Sequence, residues 1–292
     1  MVKKESKMKQ YLDALAKVMM EGEDVETRNG KVRKLFGHQM RFDLTKTFPA
    51  VTTKRLAWKV VVAELLWFLE GSSSDMRLRE ILYGKDTEGL EDKRTIWTAN
   101  LEQYKNKEDV YDLGRIYGKQ WRNWRSTPRQ WPVHETDQVA NLIESLKQDP
   151  HGRRHIISAW NSGEIAQGDR MALPPCHILA QFFISKDKLC CQLYQRSCDM
   201  FLGVPFNIAS YSLLTHIIGR EIGVEPGEFI HTLGDYHIYH DHLDAVSTQM
   251  SRKPTKLPTL EFETKPLDKY TVEDFKLVDY EPHETIKAPM NV

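Results

Sequence analysis

The chain has 292 residues, 40% of them hydrophobic and 28% charged, with a formal net charge of zero at pH 7. That length suits one large domain or two small ones with a substantial core. The balanced charge excludes a bulk electrostatic pull toward nucleic acid or a membrane surface.

The longest nearly apolar run, VVVAELLWFL at 60–69, is too short to span a bilayer and carries Glu64 within it. The opening MVKKESKMKQ has no apolar signal-peptide core, so a cytoplasmic location is expected. Cys176, Cys190, Cys191 and Cys198 form no Cys-x-x-Cys pair and read as reduced thiols.

Met8, Leu12, Leu15 and Val18 recur at helical spacing within 6–21. TRNGK at 27–31 reads as a turn, and RKLFGHQMRFDL at 33–44 as the strand after it. AWKVVVAELLWFLEG at 57–71 predicts a buried helix stopped at Gly71. Residues 72–115 are polar and read as an irregular, variable insert. TDQVANLIESLKQ at 136–148 is an amphipathic helix.

RRHIISAW, ILAQFFIS and KLCCQLYQ then read as strands, the last two joined by a tight turn at Lys186–Asp187. IASYSLLTHIIGREIG at 208–223 is a second buried helix. EFIHTLGDYHIY at 228–239 is a strand with a break at Gly234, and short strands follow in the Pro- and Lys-rich tail. With no repeat and no linker, the expected fold class is α+β: one domain over 1–292, a mixed β-sheet packed with helices.

Several side chains are costly unless they do chemistry. In MALPPCH at 171–177, Pro174 and Pro175 fix the backbone entering Cys176 and can hold one thiol in place. An unperturbed thiol is only about 3% thiolate at pH 7, and a neighbouring guanidinium would raise that fraction. The other three cysteines read as small buried hydrophobes.

Arg196, inside an apolar stretch, needs an anionic partner if buried. Arg153 and Arg154 open a strand, so their side chains diverge, and one chain could not easily aim both at one phosphate. Arg28 sits in a turn, where an ordinary surface role competes with anion binding.

Glu64 among VVAELLWFL is either a buried carboxylate with a raised pKa, suited to moving protons, or a solvent-facing residue. Asn207 presents a donor and an acceptor side by side, which complements O4 and N3–H of a uracil edge. Its plain alternative is to cap the helix that follows. His231, His237, His240 and His242 could suggest a metal site if a strand put His240 and His242 on one face. No acid–histidine helix motif accompanies them, so no metal is expected.

MALPPCH, CQLYQRSCDMFLGVPFNIASY, GDYHIY and DLGRIYGKQW together resemble the folate-dependent thymidylate synthase family. FPAVTTKR, AELLWFLEG, RRHIISAWN and the terminal IKAPMNV extend the resemblance from about residue 8 to 292. It implies a homodimer built on a sheet face, and reductive methylation of dUMP to dTMP. In that reaction 5,10-methylenetetrahydrofolate is the carbon and hydride donor and leaves as dihydrofolate; no metal, membrane or nucleic acid is required.

The resemblance also implies roles. Cys176 would be the nucleophile at C6 of the uracil. Arg28, Arg196 and Ser197 would bind the phosphate, with Arg153 and Arg154 supplied by the other subunit. Asn207 would read the base, and His237 and Tyr239 the deoxyribose hydroxyl. Glu64 would organise proton transfers, with Tyr117 and His177 near the pyrimidine. Asp199 would meet the pterin. Lys54, Ile96, Trp97, Leu173, Leu202, Gly203, Phe206 and the terminal Asn291 and Val292 would line the rest of the folate site.

The chain departs from the family pattern in places. The loop ETRNGKVRKLFG is short and lacks the usual Thr-Gly-Thr-Gly run. TIWTAN puts Asn100 where a second tryptophan usually stands, Arg115 replaces a proline, Asn291 a small apolar residue, and Tyr236 a threonine or alanine. Polar groups at 100 and 291 can hold an attacking water on the folate side. The alternative activity is therefore dUMP 5-hydroxymethylation, in which water replaces hydride and tetrahydrofolate is released. Retention of Trp97 and of the carboxyl-terminal stretch favours methylation.

Overall fold

The computed structural model describes residues 7–104, 109–126, 134–168 and 170–291. Helix α1 (Lys9–Glu21) leads into a hairpin of β1 (Glu23–Thr27) and β2 (Gly30–Asp43). Helices α2 (Trp58–Leu69), α3 (Asp75–Tyr83), α4 (Thr98–Tyr104) and α5 (Tyr117–Arg122) follow. A small ribbon of β3 (Trp124–Ser126) and β4 (His134–Thr136) precedes α6 (Gln138–Gln148), β5 (Ile156–Ser158) and α7 (Ser162–Ile165). The second half supplies β6 (His177–Ser185), β7 (Lys188–Asp199), α8 (Gly203–Ile222), β8 (Pro226–Tyr239) and α9 (Leu243–Ser251). Strands β9 (Thr259–Glu261) and β10 (Lys276–Val278) pair in the tail.

Six strands form one mixed sheet in the order β1-β2-β8-β7-β6-β5. Only β7 and β8 run parallel; the other neighbours are antiparallel. The parallel pair is possible because α8 crosses between the two strands, as a parallel connection requires. The β6–β7 hairpin closes through Lys186 and Asp187 at φ 51° and 59°, the mirror-image turn that matches strand twist.

Alternation buries Phe42, Phe229, Cys191 and Phe182 on one sheet face, where the core lies. On the opposite face Phe183 and Ile156 remain exposed, and Gln39 and Gln192 both donate to the Thr232 hydroxyl. Helices α2 and α8 are nearly apolar all round, as buried helices are.

The expected strand break at Gly234 takes a subtler form. Strand β8 is continuous, but the pairings to β2 and to β7 both skip Gly234, and the buried side chains switch from 229, 231 and 233 to 236 and 238. A Cβ on Gly234 would come within 3.0 Å of the Arg196 carbonyl, so only glycine lets the two strands approach there.

The reading of 72–115 as irregular is corrected. It holds α3 and α4, with Leu78, Leu82 and Leu101 in the core. Ser74 caps α3 by accepting from the Arg77 N–H. The polarity that suggested a loop is partly an interior network: Arg79 donates to the fully buried Asp75 at 2.6 and 2.9 Å, and Thr95 donates to the same carboxylate. Residues 105–108 of that segment lie outside the described residues.

Candidate active site

A cavity of about 460 Å³ opens at the carboxyl ends of the parallel strands β7 and β8. Cys176, the last residue before β6, stands in its wall. Its N–H donates to the Tyr117 hydroxyl at 2.7 Å, and its carbonyl accepts from the Arg196 N–H at 2.8 Å. The Arg196 side chain donates to the carbonyls of Pro175 (Nε, 2.8 Å) and Pro174 (Nη2, 2.9 Å) and lies 5.3 Å from the Trp160 ring.

Arg196 is only half-buried, so the condition for an anionic protein partner is not met; carbonyls and an aromatic face hold its guanidinium, and among the described residues no carboxylate pairs with it. Burial pushes the Cys176 thiol up, while Arg196, then Tyr117 and Ser197, pull it down. Burial outweighs these, so the guanidinium limits the rise without reversing it.

Glu64 projects from α2 and is 6% exposed, which removes the solvent-facing reading. Burial raises its pKa to about 7, and the Trp97 Nε1–H, donating to Oε1 at 2.8 Å, opposes that rise. His177 stacks on Tyr117 at 3.9 Å between ring centroids, and its Nδ1 lies 2.7 Å from the Tyr211 hydroxyl. Burial lowers its pKa to about 3, so at neutral pH the ring carries no charge.

Asn207 lies inside α8, a full turn past its start at Gly203. The capping alternative is thus excluded by position. The start of α8 has no side-chain cap; Asp199 Oδ1 instead accepts from the N–H of Phe201 (2.9 Å) and Leu202 (3.2 Å) in the turn before it. The Asn207 amide faces the cavity with no protein partner among the described residues.

On the β8 side, His237 Nδ1 pairs with Asp235 at 2.8 Å and meets the Tyr239 ring edge-on. Both His237 and Tyr239 line the cavity, as do Ser197, Asp199 and Gly203. Ile96, Trp97, Leu173, Leu202 and Phe206 form an apolar wall, and Arg28 reaches in from the β1–β2 turn. The tail closes one edge through Asn291, whose amide donates to Asp241 at 3.2 and 3.3 Å.

Three predicted residues do not line the cavity. Lys54 is buried, its Nζ 3.4 Å from the Phe201 ring centre and bonded to the Phe201 carbonyl. Burial lowers its pKa to about 8. Arg153 and Arg154 are exposed just before β5, not within it, and stand away from the cavity of this chain. Val292 lies outside the described residues.

The cavity also includes residues that the sequence reading passed over. These are Asn29 beside Arg28, Gln195, whose Oε1 lies 2.8 Å from His231 Nε2, and Met290. Asn100, noted as a departure, lines it too. Gln195 had a signal: it shares strand parity with Cys191 and Leu193, so a buried amide was due there.

The histidines do not form one cluster. His240 and His242 lie on a single 3-10 turn, not a strand. His231 faces Gln195, His240 faces Asp24, and His242 Nε2 donates to the Pro289 carbonyl at 2.7 Å. Among the described residues no group of three or more His, Cys, Asp or Glu could hold a metal ion. No helix there is long and apolar enough to cross a membrane.

A thiol beside a guanidinium, a buried carboxylate near neutrality and an unpaired amide can together serve nucleophilic and acid–base chemistry on a bound ligand. The family model for thymidylate synthase matches residues 9–292. Thymidylate synthases of Listeria monocytogenes serotype 4a (strain HCC23) and serotype 4b (strains CLIP80459 and F2365) are each 44% identical to this chain over 324 aligned positions. The alignments cover 98% of this chain and 100% of theirs. The chain belongs to the thymidylate synthase family.

Proposed function

We propose that this chain converts dUMP to dTMP, and that Cys176 attacks C6 of the uracil. The convergence of Cys176, Arg196 and the Trp97-bound Glu64 on one cavity carries this reading. When bound, 5,10-methylenetetrahydrofolate supplies the one-carbon unit and the hydride. The apolar wall of Ile96, Leu173, Leu202 and Phe206, with Asp199 at its edge, fits a flat heterocycle carrying polar edges.

The phosphate dianion of dUMP pairs with Arg28, Arg196 and Ser197. Asn207 donates to O4 and accepts from N3–H, which orients C6 toward the sulfur and favours the enolate that forms on addition. Addition of the thiolate to C6 makes C5 the nucleophile. Glu64, ionising near pH 7, handles the proton at the pyrimidine, while Trp97 fixes its carboxylate. His177, uncharged, and Tyr117 set the cavity floor, and His237 and Tyr239 take the deoxyribose hydroxyl.

A second copy completes the site. The open sheet face with exposed Phe183 and Ile156 suits a partner, and Arg153 and Arg154 stand free to reach across to its phosphate. Sedimentation tests this: a fully active monomer would refute the shared site. The fold is read as one domain over 1–292 working in the cytoplasm.

Asn100 and Asn291 on the cavity wall favour a second reading, 5-hydroxymethylation, because each can hold a water near C5. One assay separates the two. With dUMP and methylenetetrahydrofolate, dihydrofolate formation raises absorbance at 340 nm; tritium release from C5 without that rise rejects methylation. For either product, mass spectrometry with the 5-fluoro analogue of dUMP and the folate must find an adduct on Cys176, and Cys176→Ser must abolish it.

A further inference from the structure

Strand β1 sits at the end of the sheet, pairs among the described residues with β2 alone, and exposes most of its residues. The last pairing of β2 with β8 is Val32 with Tyr239, so the tip Thr27–Lys31 projects beyond the sheet body. That tip nevertheless carries two cavity residues, Arg28 and Asn29, joined by an Nε–Oδ1 bond of 2.9 Å. A projecting hairpin at a sheet edge frays unless something outside it holds it.

Asp24 is where that hold occurs. Its carboxylate accepts from Arg33, its cross-strand partner, through Nε at 2.7 Å and Nη2 at 3.2 Å. Lys31 Nζ lies 3.9 Å away. Two contacts reach this pair from outside the hairpin: Arg33 Nη1 donates to the Met19 carbonyl at 3.2 Å, and His240 Nε2 stands 3.1 Å from Asp24 Oδ1, an ion-pair contact not aligned as a hydrogen bond. His240 directly follows Tyr239, which lines the cavity. Arg33, then His240, hold the Asp24 carboxyl below the usual carboxylate range, so it is charged at neutral pH.

We propose that the Asp24–His240 contact is a positioning clamp: it fastens the short hairpin to the end of β8 and thereby sets Arg28 and Asn29 over the phosphate end of the cavity. Asp24 and His240 do not line the cavity and act only through the tip. The inference rests on the proposed role of Arg28 in binding the nucleotide phosphate.

The test is dUMP affinity, measured by calorimetry on the intact protein. Asp24→Asn and His240→Gln each weaken dUMP roughly two- to fivefold, the scale of a partly exposed charged contact. Combined with Arg28→Ala, either gives no further loss, because the clamp works through Arg28. The kcat at saturating dUMP stays within about twofold, and Asp24→Glu recovers part of the affinity. Additive losses in the double variants, or unchanged affinity in Asp24→Asn and His240→Gln beside a weakened Arg28→Ala, overturn the clamp alone. Unchanged affinity in Arg28→Ala removes the phosphate role beneath it.

Discussion

Arg196 grips the Cys176 backbone from two sides: its N–H bonds the Cys176 carbonyl, and its guanidinium bonds the carbonyls of Pro174 and Pro175. Prolines have no N–H to offer, so the Pro-Pro-Cys entry depends on its carbonyls for fixation. The same guanidinium is the leading influence that lowers the Cys176 pKa against burial. Arg196→Gln therefore moves the thiol higher still and loosens its approach. Alkylation of Cys176 by iodoacetamide, followed by peptide mass spectrometry at pH 8, should slow several-fold in this variant. Equal or faster modification would show that Arg196 does not govern the thiol.

The acid–base role proposed for Glu64 makes it and Trp97 the groups that set the activity's pH dependence. The Glu64 carboxyl ionises near pH 7 in the fold, against an ordinary value of 4.5, and the Trp97 bond keeps it from rising further. Trp97→Phe removes that donor, so the ascending limb of the kcat profile shifts to higher pH. Glu64→Gln should lower kcat roughly 10²–10⁴-fold, the usual range for a lost acid–base group.

Glu64→Gln has an opposite effect on stability. Because the folded pKa is raised, the native state holds the proton more tightly between pH 4.5 and 7, and stability falls as pH climbs through that window. At pH 8 and above the variant should be more stable than the parent by roughly 3 kcal/mol, measured by urea denaturation. A variant that loses both activity and stability at pH 8 would contradict this account of Glu64.

Much of this arrangement is legible in the chain itself. Residues 57–71 and 208–223 are apolar enough that only a core could take them, and α2 and α8 lie there. Costly residues marked the site: a carboxylate in an apolar helix, an arginine in an apolar strand, a cysteine behind two prolines. The failures also share a cause. Polar residues buried against one another, such as Asp75, Arg79 and Thr95, look like a loop because composition does not reveal pairing. Lys54 was expected at the cavity, but its long stem lets the ammonium settle on Phe201 instead. The end of the strand at Tyr239 was legible, and His240 and His242 beyond it lie on a 3-10 turn rather than on a shared strand face.

Buried uncharged histidines should limit acid stability. Burial lowers the pKa of His177 and of His231 to about 3, and of His216 to about 4. An unfolded chain protonates these rings near pH 6.5, so between that pH and 3 the unfolded state binds more protons, and stability is lost as pH falls. Each of His177 and His231 contributes about 2 kcal/mol or more of this loss by pH 4.5. His231→Gln should flatten the decline of Tm between pH 6.5 and 4.5, while costing some stability at pH 8 through the lost contact with Gln195. An unchanged slope would mean that His231 is already protonated in the fold.

Asn207 offers the sharpest test of base recognition. Its amide, inside α8 and facing the cavity, can give one hydrogen and take one, which matches uracil O4 and N3–H. Cytosine presents the reverse: an exocyclic amine and an unprotonated N3, both of which fail against this amide in its uracil-reading pose. A carboxylate accepts from the amine but repels O4 of uracil. Asn207→Asp should therefore cut kcat/KM for dUMP by at least roughly 10²-fold, since the site's polar groups are left mismatched. Activity on dCMP should rise above that of the parent under the same conditions. The substitution is nearly isosteric on one helix, so unchanged far-UV circular dichroism separates altered reading from misfolding. If dUMP turnover survived undiminished in this variant, the 4-position would have to be read by some other group in the cavity.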